Sequence, residues 1–325
     1  MATLSTLQCV TGAKNTGIGA CNFDPKNIVG AFLCPPGYVI PAASLATLQT
    51  QLLADSEANS KSARIFPIAN FFDFKDSSEA PVVEKFGYGQ SNTVRDGVYD
   101  WGFRFRLGGL NLSSALRSFN GNSNWFLFVD SKNQLIGTQA LDTTSAISIG
   151  AIPAIEFYTD PLKPNDGKST TTYMANFRFL PKFINELIEY VTDPGFDILS
   201  TVTGLQDVTL SITSDATPGV YHLKALAGPA QVNLANLGAV STAIAAVGNW
   251  PSRNVLSGAA IVPTSVTVGS GANAGTFTVT LPTTAPPYPA GVSDKVGINL
   301  AAPATLAAAG APGYESLGEA QIVHN

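Results

Sequence analysis

Charge is what this chain has least of. Only 13% of its 325 residues are Asp, Glu, Lys or Arg, about half the share of an ordinary soluble domain. Such a chain has little material for salt-bridged helices, and its faces suit cover by neighbours. The formal net charge of −5 and a pI near 5.0 argue against a basic groove that grips nucleic acid by releasing counterions. Histidine is also scarce, with only His222 and His324 present. Hydrolase triads, zinc centres and most general-base schemes draw on a histidine in a pocket. His222 alternates with Val220 and Lys224 in a predicted strand and reads as solvated, and His324 lies near the end of the chain. The three cysteines, Cys9, Cys21 and Cys34, are odd in number and match no two-pair zinc spacing; they read as reduced, partly buried thiols. No apolar run reaches the ~18 residues of a membrane span, and the first residues lack the basic start and apolar core of a signal peptide. The reading is a soluble, cytoplasmically made protein with no membrane partner.

What the chain does have is turn formers and apolar residues. Hydrophobic residues make up 45% of it, with 30 glycines and 21 prolines, which suits short strands joined by many turns. The composition changes near Asp193-Pro194-Gly195: residues 1–195 hold 15 of the 18 Lys and Arg and 24 of the 30 aromatics. Two domains are expected, 1–195 and 196–325. The expected fold class is mainly β, a β-sandwich or barrel with flanking helices plus a second small β-sandwich.

Within the first part, Leu45, Leu48 and Leu52 lie at helical spacing in Pro41–Asp55. Pro81–Ser91 and Gly97–Leu107 read as the two strands of a long hairpin. The second of these puts Tyr99, Trp101, Phe103 and Phe105 on one face and Asp100, Gly102, Arg104 and Arg106 on the other, the period of two of a half-buried strand. A short helix is expected over Asn111–Phe119 with Asn111 as N-cap. A hairpin is expected over Trp125–Thr138, strands over Ile152–Tyr158 and Thr171–Leu180 (Tyr173, Ala175, Phe177 and Phe179 on one face), and an amphipathic helix over Pro181–Val191. The second part reads as strands near 207–213, 219–225, 261–268, 276–281 and 295–300, with an Ala-rich helix over 235–247 and an irregular tail from 301.

Candidate chemistry is thin. Gly17-Ile-Gly19 lacks the third glycine and the preceding strand of a phosphate loop and reads as a turn. Asp73, Asp76 and Glu79 cluster within seven residues, but their spacing fits no calcium loop and reads as solvated carboxylates with local turn bonds. Arg104 and Arg106 are expected to pair with Asp100 and Glu84 across the hairpin or with a neighbouring subunit; if Arg95, Arg104, Arg106, Arg117 and Arg178 converged, they would form a basic patch that the net charge conceals. No catalytic, cofactor-binding or metal site is expected. The residues singled out for core and assembly are Tyr99, Trp101, Phe103, Phe105, Arg104, Arg106, Phe177 and Phe179.

The order of elements, from the long hairpin at Val82–Leu107 through the short helix 111–119 and the hairpin 125–138 to the last strand and helix of 171–191, resembles the tail tube proteins of tailed bacteriophages. The aromatic-poor second part is similar to the immunoglobulin-like domains that phage structural proteins carry. The resemblance implies a non-catalytic virion protein made in the bacterial host cytoplasm, whose partners are further copies of itself in rings, other virion proteins and, passively, the genomic DNA. The alternatives are a capsid, connector or head-decoration protein, a host-glycan module using Trp250 or Tyr288, and a two-carboxylate glycosidase.

Overall fold

A computed structural model describes residues 3–5, 24–86, 88, 91–106, 109–141, 143–144, 146–164, 171–185, 188–192, 194–215, 217–284 and 295–323. The chain is mainly β and divides into two compact units, residues 1–56 with 62–203, and residues 57–61 with 204–325. Residues 196–203, expected in the second part, therefore belong to the first. Cys9, Cys21, Gly17, Gly19, Tyr288 and His324 lie outside the described residues.

The first unit contains β1 (Thr3–Ser5), β2 (Ile28–Cys34), β3 (Val39–Ile40), α1 (Leu48–Ser56), β4 (Phe66–Ala69), β5 (Phe71–Asp76), β6 (Val82–Lys85), β7 (Ser91–Arg95) and β8 (Tyr99–Phe105). It continues with α2 (Gly109–Arg117), β9 (Trp125–Asp130), β10 (Leu135–Leu141), β11 (Ile147–Gly150), β12 (Ile152–Thr159), β13 (Tyr173–Phe179), α3 (Pro181–Asn185), β14 (Ile188–Thr192) and α4 (Ile198–Thr201). The strands β1-β14-β10-β9-β12-β13-β8-β5 form one continuous path that curls into a half-barrel, with β2 pairing β9 and β4. Strands β2, β9 and β10 are buried on both faces, and alternate residues enter different cores. Ala31, Leu33, Phe126, Phe128 and Ile136 face an aromatic core shared with β8 and β13. Phe32, Cys34, Leu127, Val129 and Leu135 face a second, aliphatic core closed by Leu45, Leu48, Leu52, Ile198 and Val202. The period of two thus serves two cores at once, which explains why these strands read as continuous apolar runs.

The helix expected over Pro41–Asp55 is present as a 3-10 stretch, Ala42–Thr47, running into α1, with Leu45, Leu48 and Leu52 buried as expected. The hairpin at β9–β10 is also as expected; its turn is held by Asp130, whose Oδ1 accepts from the Lys132 and Gln134 amides at 2.9 and 2.8 Å. Two expectations for this unit are corrected. Strand β8 does not pair with 81–91: its partners are β5 and β13, while β6 pairs with β7 in a separate two-stranded hairpin. Phe71 and Phe74 give β5 the apolar face that β8 needs, whereas every described residue of β6 and β7 is exposed. Residues 181–191 are not one helix either: α3 stops at Asn185, and Ile188–Thr192 is a strand between β1 and β10. Ile188 and Val191, three apart, fit one face of a helix; in the strand they lie on opposite faces and enter the two different cores, and the open edge of β10 decides for the strand. Helix α2 begins at Gly109, so Asn111 lies inside it rather than capping it.

Strand β14 carries a buried acid. Glu189 lies opposite Gly137, is 2% exposed, and its Oε1 has no hydrogen-bond partner. Burial alone pushes its carboxyl up to about 7. The folded protein therefore holds a proton here that the unfolded chain has released, so this group's contribution to stability is full below its ordinary pKa of 4.5 and falls as pH rises toward 7. Glu189→Gln is expected to be the more stable protein at pH 8 by on the order of 2–3 kcal/mol and to lose most of the pH 5 to pH 8 difference seen in urea midpoints. An unchanged pH dependence in the variant would show that Glu189 is not its source.

The second unit contains β15 (Gln206–Ser214), β16 (Val220–Ala227), β17 (Val232–Asn233), α5 (Ala239–Ile244), β18 (Ser252–Asn254), β19 (Ala260–Ile261), β20 (Ser265–Val268), β21 (Phe277–Thr280), β22 (Lys295–Ile298), α6 (Pro303–Ala308), β23 (Tyr314–Ser316) and β24 (Ala320–Val323). One sheet runs β20-β21-β16-β15-β23 with β17 beside β16, and a second runs β19-β18-β22-β24. Tyr221, Leu223, Phe277 and Val279 from the first sheet and Ile261, Val296 and Ile298 from the second share a single core. The expected strand 261–268 is broken at Val262-Pro263-Thr264, and its two ends join different sheets, because proline donates nothing to a ladder. The tail expected to be irregular forms α6, β23 and β24; β23 adds parallel to β15, a departure from a wholly antiparallel sandwich. Residues 57–61 complete this unit: Glu57 accepts from the Gly313 amide at 3.1 Å and Asn59 from the Ala304 amide at 3.2 Å.

Candidate assembly surface

The aromatic strand β8 sits at the centre of the first unit's larger core. Trp101, Phe103, Phe105, Phe177 and Phe179 are all buried, and Tyr99 is partly so. The rings meet edge to face, as Phe126 and Phe177 do at 4.7 Å and 82°, or stacked, as Phe71 and Phe103 do at 5.0 Å and 21°. Both are favoured geometries for aromatic quadrupoles. These residues therefore work from inside, holding the sheet β12-β13-β8-β5 in shape.

The opposite face of that sheet carries an ion-pair lattice. Glu156, Arg178 and Asp100 lie in register across β12, β13 and β8. Arg178 reaches Glu156 at 3.1 Å, Glu79 at 3.5 Å and Asp100 at 3.8 Å, and the carboxylates around it raise its pKa, the Glu156 hydrogen bond most. Arg95 pairs with Glu79 at 3.0 Å and Arg104 with Asp73 at 2.9 Å. The expected partners are corrected: Asp100 serves Arg178 rather than Arg104, and Glu84 lies on the separate hairpin. Arg106 is exposed beyond the end of β8. Three guanidiniums thus meet four carboxylates on this face, so Arg95, Arg104 and Arg178 make no basic patch. Gly102 lies among them, and a Cβ there would come within 3.0 Å of Asn176 Oδ1 and Met174 Sδ, so the absence of a side chain gives those two room on the sheet. Asp76, which belonged to the expected acidic cluster, makes turn bonds to the Ser78 amide and hydroxyl.

From this sheet springs the hairpin β6–β7. Val82, Val83, Phe86 and Val94 are 45–63% exposed and Tyr88 is fully exposed. A bulge between Val82 and Val83 twists the ladder, and Tyr88 has φ +70°, a left-handed conformation unusual for a bulky residue. A two-stranded ribbon with free edges and bare apolar side chains on both faces is marginal by itself in water. Sequence reasoning placed a strand here but paired it into the core, and nothing in its apolar residues marked them as exposed.

A cavity of about 700 Å³ opens elsewhere in the same unit. Its lining draws Asn70 from the β4–β5 corner, Asp130 and Asn133 from the β9–β10 turn, and Asp197 and Leu199 from α4 and its cap. Asn70 and Asn133 both hold positive φ, +67° and +60°, which asparagine tolerates in tight corners. Asn133 ties the turn to the last segment of the unit, donating to the Phe196 carbonyl at 2.6 Å and accepting from the Ile198 amide at 3.0 Å. At Gly30 a Cβ would fall 2.7 Å from the Leu199 side chain, so the absence of a side chain there seats Leu199.

His222 is not solvated as expected. It is 8% exposed, with Nε2 3.0 Å from Asp215 and Nδ1 3.1 Å from the Thr278 hydroxyl. The order Thr, His, Asp imitates a nucleophilic triad, but Thr278 lies mid-strand with β20 on one side and β16 on the other. Its neighbouring amides are spent in the ladders, and no pair of them is left to form an oxyanion hole. The trio latches the Asp215 turn to the sheet. Trp250 is fully buried, donating to the Ile244 carbonyl at 2.9 Å, so it offers no platform to a sugar. Among the described residues no group of three His, Cys, Asp or Glu is placed to hold a metal, and no helix is long and apolar enough to cross a membrane. No protein-family model matches the chain, and no curated protein matches it significantly.

Proposed function

We propose that this protein is a non-catalytic structural subunit that assembles with copies of itself, as a virion component of a tailed bacteriophage and first of all as a tail tube protein. The observation that carries this reading is the hairpin Val82–Arg95, whose apolar side chains stand in solvent, every described residue of its two strands being exposed. Exposed apolar surface of this kind marks a contact surface. The low charge of the chain, 13% of residues, supports the same reading. The balanced lattice around Arg178 supports passive contact with DNA, since a surface without net positive charge releases few counterions and lets a duplex slide. Burial of Trp250 removes one of the two residues proposed for glycan binding. Negative-stain electron microscopy of the purified chain tests the proposal: rings, stacked tubes or shells are expected, and a field of single small particles at every concentration would contradict it.

A further inference from the structure

Between α2 and β9 stands Asn120-Gly121, the only Asn-Gly pair in the sequence. Both residues are exposed. Gly121 holds φ +76°, and a Cβ on it would meet nothing within 4 Å, so the space beside it is open. The pair is seated on the edge of β12 that β13 leaves free. There the Thr159 amide donates to Asn120 Oδ1 at 3.2 Å, and the Gly121 amide donates to the Phe157 carbonyl at 3.4 Å. Both bonds touch atoms that react when an asparagine precedes a glycine. The backbone nitrogen of Gly121, once deprotonated, reaches Asn120 Cγ within its own chain and closes a five-membered ring, with no side chain on the glycine to hinder it. Negative charge develops on Oδ1 in that step, and an amide donor already aimed at Oδ1 stabilises it, as a donor in an oxyanion hole does. The bond from Gly121 to Phe157 is long, so deprotonating that nitrogen gives up little.

We propose that Asn120 is a modification site, deamidating spontaneously in the folded protein to aspartate and isoaspartate with the edge of β12 assisting. The Gly121 nitrogen forms a bond to Asn120 Cγ, the bond from Cγ to the side-chain nitrogen breaks, and that nitrogen leaves as ammonia with the proton that Gly121 lost. Water then opens the cyclic imide. Attack at Cγ restores the ordinary backbone with an aspartate side chain. Attack at the main-chain carbonyl gives isoaspartate, in which the chain runs through Cβ and Cγ and is one atom longer. Either product adds a negative charge to the exposed turn. Aspartate keeps an oxygen where Thr159 donates, whereas the longer isoaspartyl chain displaces the groups bonded to Phe157 and Thr159, so the turn loses its seat on β12. The reaction needs no second copy and is independent of assembly.

The test is incubation of the full chain at pH 8, folded and in guanidinium chloride, followed by peptide mapping with mass spectrometry. A gain of one mass unit is expected in the peptide that holds Asn120, at a rate in the folded protein no lower than in denaturant, with isoaspartate among the products. Asn122, exposed in the same turn but followed by Ser123, serves as the internal control and is expected to stay unmodified over the same time. Asn120→Gln, whose longer side chain cannot close the five-membered ring, is expected to abolish the change. A folded rate lower than the denatured rate by tenfold or more would mean that the bonds to β12 hold the turn shut, and the inference fails. Equal modification of Asn120 and Asn122 would mean that exposure alone governs, and it fails likewise. The isoaspartyl fraction, separated by ion exchange, is expected to melt below Asn120→Asp, which carries the same charge on a chain of ordinary length. Equal melting would overturn the loss of the seat on β12.

Discussion

Phe103→Asp is expected to leave no folded protein. Phe103 is fully buried, with the rings of Phe71, Phe74, Phe177 and Phe128 at 5.0, 5.3, 5.6 and 6.0 Å. Losing a buried phenyl ring costs ~3–5 kcal/mol in comparable cores, and an unpaired carboxylate placed there adds several more. Against a total stability of about 5–15 kcal/mol, the sum is decisive. The neighbouring Arg104→Ala removes an exposed ion pair with Asp73 and is expected to cost no more than ~1 kcal/mol. Thermal denaturation followed by circular dichroism distinguishes them. A cooperative melt for Phe103→Asp within a few degrees of wild type would overturn the placement of β8 in the core.

The second large effect concerns where the first unit ends. A chain stopped after Gly195 loses Ile198 and Val202, both fully buried in the aliphatic core, together with the flanking Phe196 and Leu199. Asn133 loses both of its bonds to that segment as well. Two fully buried aliphatic side chains are worth roughly 4 kcal/mol or more, so this truncation is expected to be insoluble or loosely packed. A chain stopped after Thr203 keeps all of these contacts and is expected to fold. Comparing the two by limited proteolysis and urea denaturation gives the answer: equal resistance would mean that 196–203 contributes nothing to the core.

The same residues show which parts of the fold were legible in the sequence. The faces of β8 and β13 were, since aromatics alternate there with charged or small residues and the period needs no partner to be seen. Partnership was not. Strand β5 carries an extra residue between Phe71 and Asp73, and that bulge breaks the alternation that would have marked it as the neighbour of β8. In β14, apolar residues at 188 and 191 show a helical spacing, and only a strand buried on both faces, beside the distant edge of β10, accommodates them. The segments β23 and β24 are three and four residues long, too short for any period to register.

Of the candidate site, the hairpin was visible as strand-forming sequence, yet its exposure was not, because valine on a bare ribbon and valine in a core look alike. The cavity left no local trace at all. Its lining comes from residues near 30, 70, 130 and 200, brought together by the sheet path. His222 was misread for a related reason: alternation assigned it correctly to the outer face, while the Asp215 turn that covers that face comes from the preceding connection.

Sedimentation velocity of the intact chain over a wide concentration range tests the central claim most directly. The account predicts discrete species larger than the monomer, growing with concentration and lost when Phe86 and Tyr88 are both serine. A single monomer boundary throughout, identical for wild type and variant, would contradict it.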